Sequence, residues 1–300
     1  MWSSRCYLVV LLLIGGKILC FGQDPQPKPS LIAKQTSSVE PVGGVGFLPD
    51  TLDLINATFQ DFTLVGKNEI VDDQLILVPI LDALKRSFNQ KEADTLRFFH
   101  IGDSHIRGDI LPNTIKQHLE KLFPSISYKH YGINGATCLT FTHDERIKRV
   151  VREQPDVLIL SFGTNESHNR RYNGTVHYHQ IDELIIKIRR ELPDVVFLFT
   201  TPPGSYERIR GRRGRFYREN LKTAQASQTI IQYAKDKGYA YWDLYEVAGG
   251  RGEACKNWQS AKLMRRDHVH YFHEGYILQG ELFSDAFINY YNQYVSNRLR

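Results

Sequence analysis

The chain reads Val157-Leu158-Ile159-Leu160-Ser161 and then, after Phe162, Gly163-Thr164-Asn165-Glu166. A short, continuous apolar run predicts a β-strand that is covered on both faces, as in a parallel sheet with helices above and below it. A glycine and polar residues directly after such a strand predict a turn at its carboxyl end, where the sites of open parallel sheets lie. This stretch therefore indicates an α/β fold with a site at the carboxyl ends of its strands.

Outward from this stretch, strand and helix patterns alternate along the chain. The predicted strands are Leu96–Ile101, Ser127–Tyr131, Val157–Ser161, Val195–Phe199 and Tyr239–Trp242. The predicted helices are Leu75–Phe88, Asn113–Leu122, Asp144–Glu153, Ile181–Arg190, Asn220–Lys237 and Glu274–Tyr294. This alternation predicts a flavodoxin-like three-layer α/β/α sandwich, whose five-stranded parallel sheet has the order 2-1-3-4-5.

The N-terminal region predicts export. In residues 1–22, Arg5 precedes a short apolar run, Tyr7–Ile14, and small residues suited to cleavage follow. The run is too short to span a bilayer. Prolines, serines and glycines make residues 23–45 typical of a flexible linker. We expect a periplasmic or secreted protein with no integral membrane segment in the mature chain, in which residues 46–300 form one domain with an N-terminal helical extension.

Charge and cysteine content narrow the function classes. The formal net charge of the chain is +5, and because Arg5 and Lys17 are the only charged residues of the export signal, the remainder carries +3. This balance does not indicate a nucleic-acid-binding protein. Cys138 and Cys255 either form a disulfide in an oxidising compartment or remain two separate thiols. Because the sequence has no Cys-x-x-Cys motif or His/Cys cluster, we expect no zinc and no cofactor.

Reactive side chains occur in four polar segments, three after predicted strands and one before the last helix. They are Gly102-Asp103-Ser104-His105, Gly132-Ile133-Asn134-Gly135, Gly163-Thr164-Asn165-Glu166 and Asp267-His268-Val269-His270. Ser104 lies at a strand-to-helix turn, but a serine hydroxyl is a weak nucleophile and needs a base. His270 is the candidate base, because Asp267 can orient its imidazole. These residue types in this order favour ester hydrolysis.

Acyl transfer also requires N–H donors directed at the developing oxyanion. Asn165 offers a side-chain amide, Gly135 a backbone N–H that no Cβ obstructs, and Ser104 its own backbone N–H. Taken alone, each residue also has an ordinary interpretation, as a helix cap for Ser104 or as turn residues for the other two. His268 and His270 could ligate a metal, but no partner acids are evident, and we predict no metal site.

Taken together, the four segments resemble those of the SGNH, or GDSL, hydrolases, a superfamily of serine esterases. The resemblance covers residues 98–276. It implies that Ser104 is the nucleophile, that Asp267 and His270 complete a catalytic triad, and that the fold is the flavodoxin-like sandwich. The oxyanion hole that it implies consists of the N–H of Ser104 with Gly135 and Asn165.

Two variants within these segments resemble one branch of the superfamily. The third segment has Gly-Thr-Asn-Glu where the superfamily usually has Gly-x-Asn-Asp, and the first continues with His105. Both variants look like those of bacterial peptidoglycan O-acetylesterases. The resemblance therefore implies an acetylated glycan as the substrate.

Candidate substrate contacts lie in two further segments. His168 follows Asn165 and is expected at the rim of the pocket. Arg212 and Arg213 belong to an arginine-rich loop, residues 208–218, after the fourth strand. This loop is either a clamp for carboxylates of a peptidoglycan stem or an acidic glycan, since guanidinium binds carboxylate in a bidentate manner, or a solvated, mobile loop.

The sequence therefore predicts an exported serine esterase that removes O-acetyl groups from a carbohydrate, with peptidoglycan as the first candidate. One alternative is a lipid or thioester acylhydrolase that uses the same site, although no long apolar lid segment is visible. The other alternative is a non-catalytic glycan-binding relative. The oligomeric state is left open.

Overall fold

The computed structural model describes residues 51–88, 94–212 and 214–299. The predicted export signal and linker, residues 1–22 and 23–45, lie outside these ranges and stay predictions. Among the described residues, no helix combines the length and the apolar character that a bilayer crossing requires.

The described elements are numbered in chain order. The strands are Ile70–Val71 (β1), Leu96–Gly102 (β2), Ile126–Gly132 (β3), Val157–Ser161 (β4), Val196–Thr200 (β5), Tyr206–Gly211 (β6), Gly214–Glu219 (β7) and Ala240–Trp242 (β8). The longer helices are Val78–Ser87 (α1), Ile110–Leu122 (α3), Asp144–Glu153 (α5), Gly174–Glu191 (α7), Leu221–Lys237 (α8), Ala254–Ser260 (α10) and His273–Val295 (α11). The single-turn helices are Ser104–Arg107 (α2), Cys138–Phe141 (α4), Thr164–Ser167 (α6) and Leu244–Val247 (α9).

The central sheet has the order β1-β8-β5-β4-β2-β3. Its strands β2, β3, β4, β5 and β8 are parallel, and they confirm the predicted order 2-1-3-4-5. The predicted strand number was wrong by one, because β1 adds an antiparallel edge strand to β8. With only two residues, β1 is too short to show a periodic pattern in the sequence.

Two apolar layers cover the two faces of the sheet. Successive strand residues point to opposite faces, so Phe98 and Ile159 join one core cluster while Phe99 and Leu158 join the other. Helices α1, α3 and α11 contribute to the first cluster, and α5, α7 and α8 to the second. This arrangement confirms the three-layer α/β/α fold, and it explains why β4 and β5 are almost entirely apolar.

The carboxyl ends of the three central strands are level with one another. Gly102, at the end of β2, is paired with Gly132 of β3 on one side and with Ser161 of β4 on the other. The chain passes from β2 to β3 and then to β4 across β2, so this is the point where strand order reverses. The segments that follow β2, β3 and β4 therefore meet at one end of the sheet.

The outer edge of the sheet at β3 carries polar side chains. Lys129 of β3 is exposed and forms an ion pair with Glu153 at 2.8 Å. The backbone N–H of Tyr128 donates to Oε1 of Glu120 in α3 at 2.8 Å. Both contacts occupy groups on β3, which among the described strands pairs with β2 alone.

The interpretation of residues 208–218 as a loop was wrong, because β6 and β7 pair as an antiparallel hairpin. The sequence concealed the hairpin, since charged residues occur on both of its faces and no apolar alternation marks it. β6 ends at Gly211 and β7 begins at Gly214, so a glycine stands on either side of the turn.

Candidate active site

Ser104 lies where β2 turns into the short helix α2. Asp103 caps this helix, and its Oδ1 accepts a hydrogen bond from the N–H of His105 at 2.9 Å. The cap places Ser104 at the first helical position, with its side chain half-buried. Its Oγ lies 3.0 Å from Nε2 of His270, which is 166 positions away in the chain.

His270 belongs to a tight loop between α10 and α11. The loop is closed by a hydrogen bond from the N–H of Arg265 to the carbonyl of His270 at 2.8 Å. At its base, the hydroxyl of the fully buried Tyr271 donates to the carbonyl of Gly204 at 2.8 Å. These bonds fix the loop against the segment that follows β5, so His270 is held opposite Ser104.

Asp267 orients His270 through both of its oxygens. Oδ2 lies 2.9 Å from Nδ1 of His270, while Oδ1 accepts the N–H groups of Val269 and His270, each at 2.9 Å. Partial burial opposes ionisation of this carboxyl group, but the hydrogen bonds from His270 and Val269 outweigh it and lower the pKa of Asp267. A carboxylate on Nδ1 keeps the proton there and leaves Nε2 free to accept one from Ser104.

Gly135 and Asn165 lie on the loops after β3 and β4. Gly135 is exposed with φ at +72°, and no atom lies within 4 Å of where a Cβ would stand, so its backbone is open to a ligand. The amide nitrogen of Asn165 donates to the carbonyl of Ala136 at 2.9 Å and to Oδ2 of Asp103 at 3.3 Å. The first bond holds the side chain, and the second is long for an N–H···O bond.

Glu166 joins these two loops. Its Oε2 accepts the N–H of Gly163, just before Asn165, at 2.9 Å, and its Oε1 accepts the N–H of Cys138, just after the Gly135 turn, at 2.7 Å. The carboxylate is buried between them. Sequence reasoning assigned Glu166 no role, because only the fold brings it to the second loop.

Glu166 also lies in a buried cluster with Cys138 and His177. One donor atom of each lies within 4.8 Å of the others, and these donor types can ligate a metal. Both Glu166 oxygens already accept backbone N–H groups, however, and Oε1 is 3.8 Å from Nε2 of His177. Burial lowers the pKa of His177 and raises that of the Cys138 thiol well above its ordinary value. The cluster is therefore a buried support behind the loops, in which both oxygens of Glu166 are already engaged.

His105 lies behind the base. Its ring centroid is 5.4 Å from that of His270, and its Nδ1 is 3.0 Å from the hydroxyl of Tyr276. Burial, reinforced by the neighbouring His270, lowers the pKa of His105 to about 3. Its imidazole therefore stays neutral at pH 7 and does not oppose a positive charge on His270.

The predicted substrate contacts fall in different places. His168 is exposed, with its Nε2 3.0 Å from Oγ of Ser205, and Arg212 is exposed at the tip of the hairpin. Arg213 lies outside the described residues. Four other arginines line a common cavity together with Ile209: Arg170, Arg208, Arg210 and Arg215. We call this cavity the arginine groove.

The two cysteines are separate. Cys138 and Cys255 are both buried free thiols, so the alternative of a disulfide is not realised. The Cys255 thiol donates to the carbonyl of Ser205 at 3.3 Å. Burial raises the pKa of Cys255 to about 12, so this thiol stays protonated at neutral pH.

Comparison with known protein families gives one match. The model of the GDSL-like lipase/acylhydrolase family matches residues 100–277, which is more than half of the chain. No curated protein matches the chain.

Two solved structures are similar to this chain. A peptidoglycan O-acetylesterase superposes with a TM-score of 0.61 at 15% sequence identity, over 77% of this chain and 99% of that one. A GDSL-like lipase from Bacteroides thetaiotaomicron superposes with a TM-score of 0.48 at 19% identity, over 65% of this chain and 88% of that one. At such identities, the first likeness establishes the shared fold.

Proposed function

The chain belongs to the GDSL-like lipase/acylhydrolase family, and from this premise we propose that it is an exported enzyme that removes O-acetyl groups from a carbohydrate. Membership makes it a serine ester hydrolase. The observation that carries the proposal is the continuous chain of contacts Ser104–His270–Asp267, with spacings of 3.0 and 2.9 Å. Such a chain supplies a nucleophile, a base and an orienting acid in one line.

In the proposed acylation, Oγ of Ser104 attacks the acetyl carbonyl carbon as Nε2 of His270 takes the hydroxyl proton. The carbonyl π electrons move to the oxygen, which becomes an oxyanion. When this tetrahedral intermediate collapses, the bond to the sugar oxygen breaks, and that oxygen receives the proton from His270. The sugar leaves with a free hydroxyl, and the acetyl group stays on Ser104.

In deacylation, a water molecule repeats the attack, and His270 again takes the proton. The second tetrahedral intermediate releases acetate and returns the proton to Ser104. The oxyanion of both intermediates is held by the N–H groups of Ser104 and Gly135 and by the Asn165 amide. Of the two Asn165 hydrogens, the one with the long contact to Asp103 is the one that the oxyanion would take.

Two lines support the choice of substrate and location. The fold likeness to a peptidoglycan O-acetylesterase and the Gly-Thr-Asn-Glu and Gly-Asp-Ser-His segments make peptidoglycan the first candidate. The basic, apolar and small-residue regions of residues 1–22 support export. Export is checked by the N-terminal residue of the mature protein, since processing after position 22 is expected and an intact Met1 would contradict it.

The esterase function is tested with 4-nitrophenyl acetate and 4-nitrophenyl octanoate. The purified protein is expected to release nitrophenol from the acetyl ester, and Ser104→Ala to lose at least about 10³-fold of kcat. Equal rates for the two proteins would refute the assignment of Ser104. A preference for the octanoyl ester would favour the lipid acylhydrolase instead.

The substrate is tested by acetate release from O-acetylated peptidoglycan and from acetylated xylan at equal acetyl concentration. A higher kcat/KM for peptidoglycan is expected. Faster release from xylan would move the assignment to a plant-type polysaccharide while leaving the esterase chemistry intact.

A further inference from the structure

The arginine groove is a cavity of about 370 Å³ between the β6–β7 hairpin and the chain that follows α6. Four of its lining residues are arginines, and no acidic residue is among the described residues that line it. Arg208, Arg210 and Arg215 are exposed on the hairpin, and Arg170 is exposed near His168. The groove is therefore a concentrated positive surface that water can reach.

Within the described ranges, none of these four guanidinium groups forms an ion pair or a side-chain hydrogen bond with protein. The hairpin does supply such pairs elsewhere, since Arg218 and Lys222 both bind Glu207 at 2.8 Å. Arg210 and Arg215 lie directly opposite each other across the two strands. Like charges in this position are destabilising, so the arrangement contributes nothing to the stability of the hairpin by itself.

The groove is adjacent to the proposed catalytic site. The N–H of Tyr206 donates to the carbonyl of His268 at 2.8 Å, and the ring centroid of Tyr217 lies 4.1 Å from that of His268. His268 stands between Asp267 and His270 in the sequence. In an antiparallel pair, Arg208 shares its face with the opposite residue, Tyr217, and alternation places Arg210 on the same face. The three hairpin arginines of the groove thus share the hairpin face that packs on the triad loop.

We propose that the arginine groove binds carboxylate groups of an acidic glycan and so positions its acetyl esters at Ser104. Guanidinium groups bind carboxylates through paired, charge-assisted hydrogen bonds, and a repeating acidic polymer can neutralise several arginines at once. The proposal rests on the esterase function and adds the substrate class. The carboxylates can come from peptide stems of peptidoglycan or from uronic acid units.

The test compares Arg210→Gln/Arg215→Gln with Arg152→Gln/Arg298→Gln, a control that removes the same charge from exposed positions outside the groove. Activity is measured on four substrates: 4-nitrophenyl acetate, acetylated xylan, acetylated polygalacturonate and O-acetylated peptidoglycan. The groove variant is expected to lose about tenfold in kcat/KM, mainly through KM, on a carboxylate-bearing polymer only. The control is expected to stay within about twofold on all four.

The two carboxylate sources are separated by the third and fourth substrates. The wild-type advantage on the acidic polymer is expected to shrink in 0.5 M NaCl, because salt screens exposed charges. A loss that is equal on xylan, or no loss on any polymer, would overturn the proposal. Removing a pair of opposed like charges is not expected to lower the melting temperature, so misfolding cannot imitate the result.

Binding is also measured without turnover. Ser104→Ala is titrated calorimetrically with polygalacturonate and with de-O-acetylated peptidoglycan fragments, with and without the groove substitutions. Arginine-dependent binding by Ser104→Ala, together with a wild-type protein that hydrolyses no ester, would uphold the groove and refute the esterase. Ester hydrolysis by the wild type with no arginine-dependent binding would uphold the esterase and refute the role of the groove.

Discussion

Asp267 divides its two oxygens between the loop backbone and the proposed base. In Asp267→Asn, the remaining oxygen can keep the backbone N–H groups, but the new amide nitrogen then faces Nδ1 of His270. Because the amide nitrogen is a donor, Nδ1 of His270 must become an acceptor. The imidazole proton then moves to Nε2, which can no longer take a proton from Ser104. We expect kcat for 4-nitrophenyl acetate to fall on the order of 10⁴-fold, with an unchanged melting temperature. Retention of more than a tenth of the activity would show that Asp267 does not set the tautomer.

Glu166 acts on the proposed oxyanion donors at one remove, because it touches the loops of Gly135 and Asn165 but not the substrate. In Glu166→Gln, the remaining side-chain oxygen still accepts one of the two backbone N–H groups. The new side-chain NH2 is a donor and faces the other backbone N–H, so that hydrogen bond is lost and one of the two loops is no longer held. We expect kcat to fall about 10²-fold with little change in KM, since the misplaced donors stabilise the oxyanion less than before.

A positioning role is distinguished from a general loss of stability by a double-mutant cycle. If Glu166 works through Asn165, the double variant Glu166→Gln/Asn165→Ala should lose less activity than the two single losses combined. Additive losses would mean that Glu166 only stabilises the fold. As a control, mass spectrometry measures the metal content of the wild type and of Glu166→Gln. A stoichiometric ion that is present in the wild type and lost from the variant would mean that Glu166 holds the two loops through a metal and not through its own hydrogen bonds.

At the scale of elements, the turn into α2 is held by its tight contact with the end of β3. A Cβ added to Gly132 would lie 2.1 Å from the backbone nitrogen of Arg107, which cannot move aside as a flexible side chain could. We expect Gly132→Ala to lower the free energy of unfolding by about 2–3 kcal/mol and to reduce kcat, because α2 must shift and carry Ser104 with it. Urea unfolding and esterase assays measure the two effects.

Gly108→Ala is the matched control for this prediction. It lies at the other end of α2 with a helical φ of −70°, and its Cβ would stand 3.5 Å from the nearest atom, which is an ordinary contact. We expect a change of less than about 0.5 kcal/mol. Similar losses in both variants would refute the claim that the β3 contact is responsible.

The elements also show why the sequence predicted some parts of this fold and not others. Runs such as Val157–Ser161 are apolar because both faces are covered, so they could be recognised without the structure. The hairpin strands β6 and β7 could not, since neither face is buried in the core. Helices of four residues, such as α2 and α6, span about one turn, so the helical period of about 3.6 residues does not repeat within them and leaves no pattern in the sequence.

The candidate site follows the same division. Ser104, Asn165 and Gly135 stand next to predicted strands, so topology alone placed them at one end of the sheet. Glu166 and His105 gain their contacts from segments far away in the chain, and sequence spacing carries no signal for that. The substrate-binding prediction on Arg212 fell on the hairpin and stays a prediction, while the pairing of the hairpin strands determines which arginines share a groove.

For the whole molecule, buried titratable groups predict how stability depends on pH. Burial lowers the pKa of His100 and of His105 to about 3, so between pH 3 and 6.5 the unfolded chain binds more protons, and acidification destabilises the fold. Burial of Asp103 has the opposite effect on stability. It raises the pKa of Asp103 to about 8, so between pH 4 and 8 the folded chain binds more protons than the unfolded chain, and acidification stabilises the fold. Two histidines outweigh one carboxyl group below pH 6.5.

We therefore expect the free energy of unfolding to be lower at pH 4.5 than at pH 6.5, with a slope of about 1.4 kcal/mol per pH unit for a net difference of one proton. Urea titrations at both pH values measure it. His100→Gln removes one of the two imidazoles and should flatten the slope. Equal or greater stability at pH 4.5 would contradict the assignment of neutral histidines in the core.

The polar contacts along the outer edge of β3 have a consequence for the molecule in a concentrated protein solution. An open parallel sheet ends in a row of backbone groups that a second chain can extend, which is how strand-by-strand aggregation begins. Here the N–H of Tyr128 is already taken by Glu120, and the charge on Lys129 would have to be buried in any added strand. At the other margin, β1 offers a template of only two residues. The same sheet that brings the reactive loops together is thereby kept from growing into a fibre.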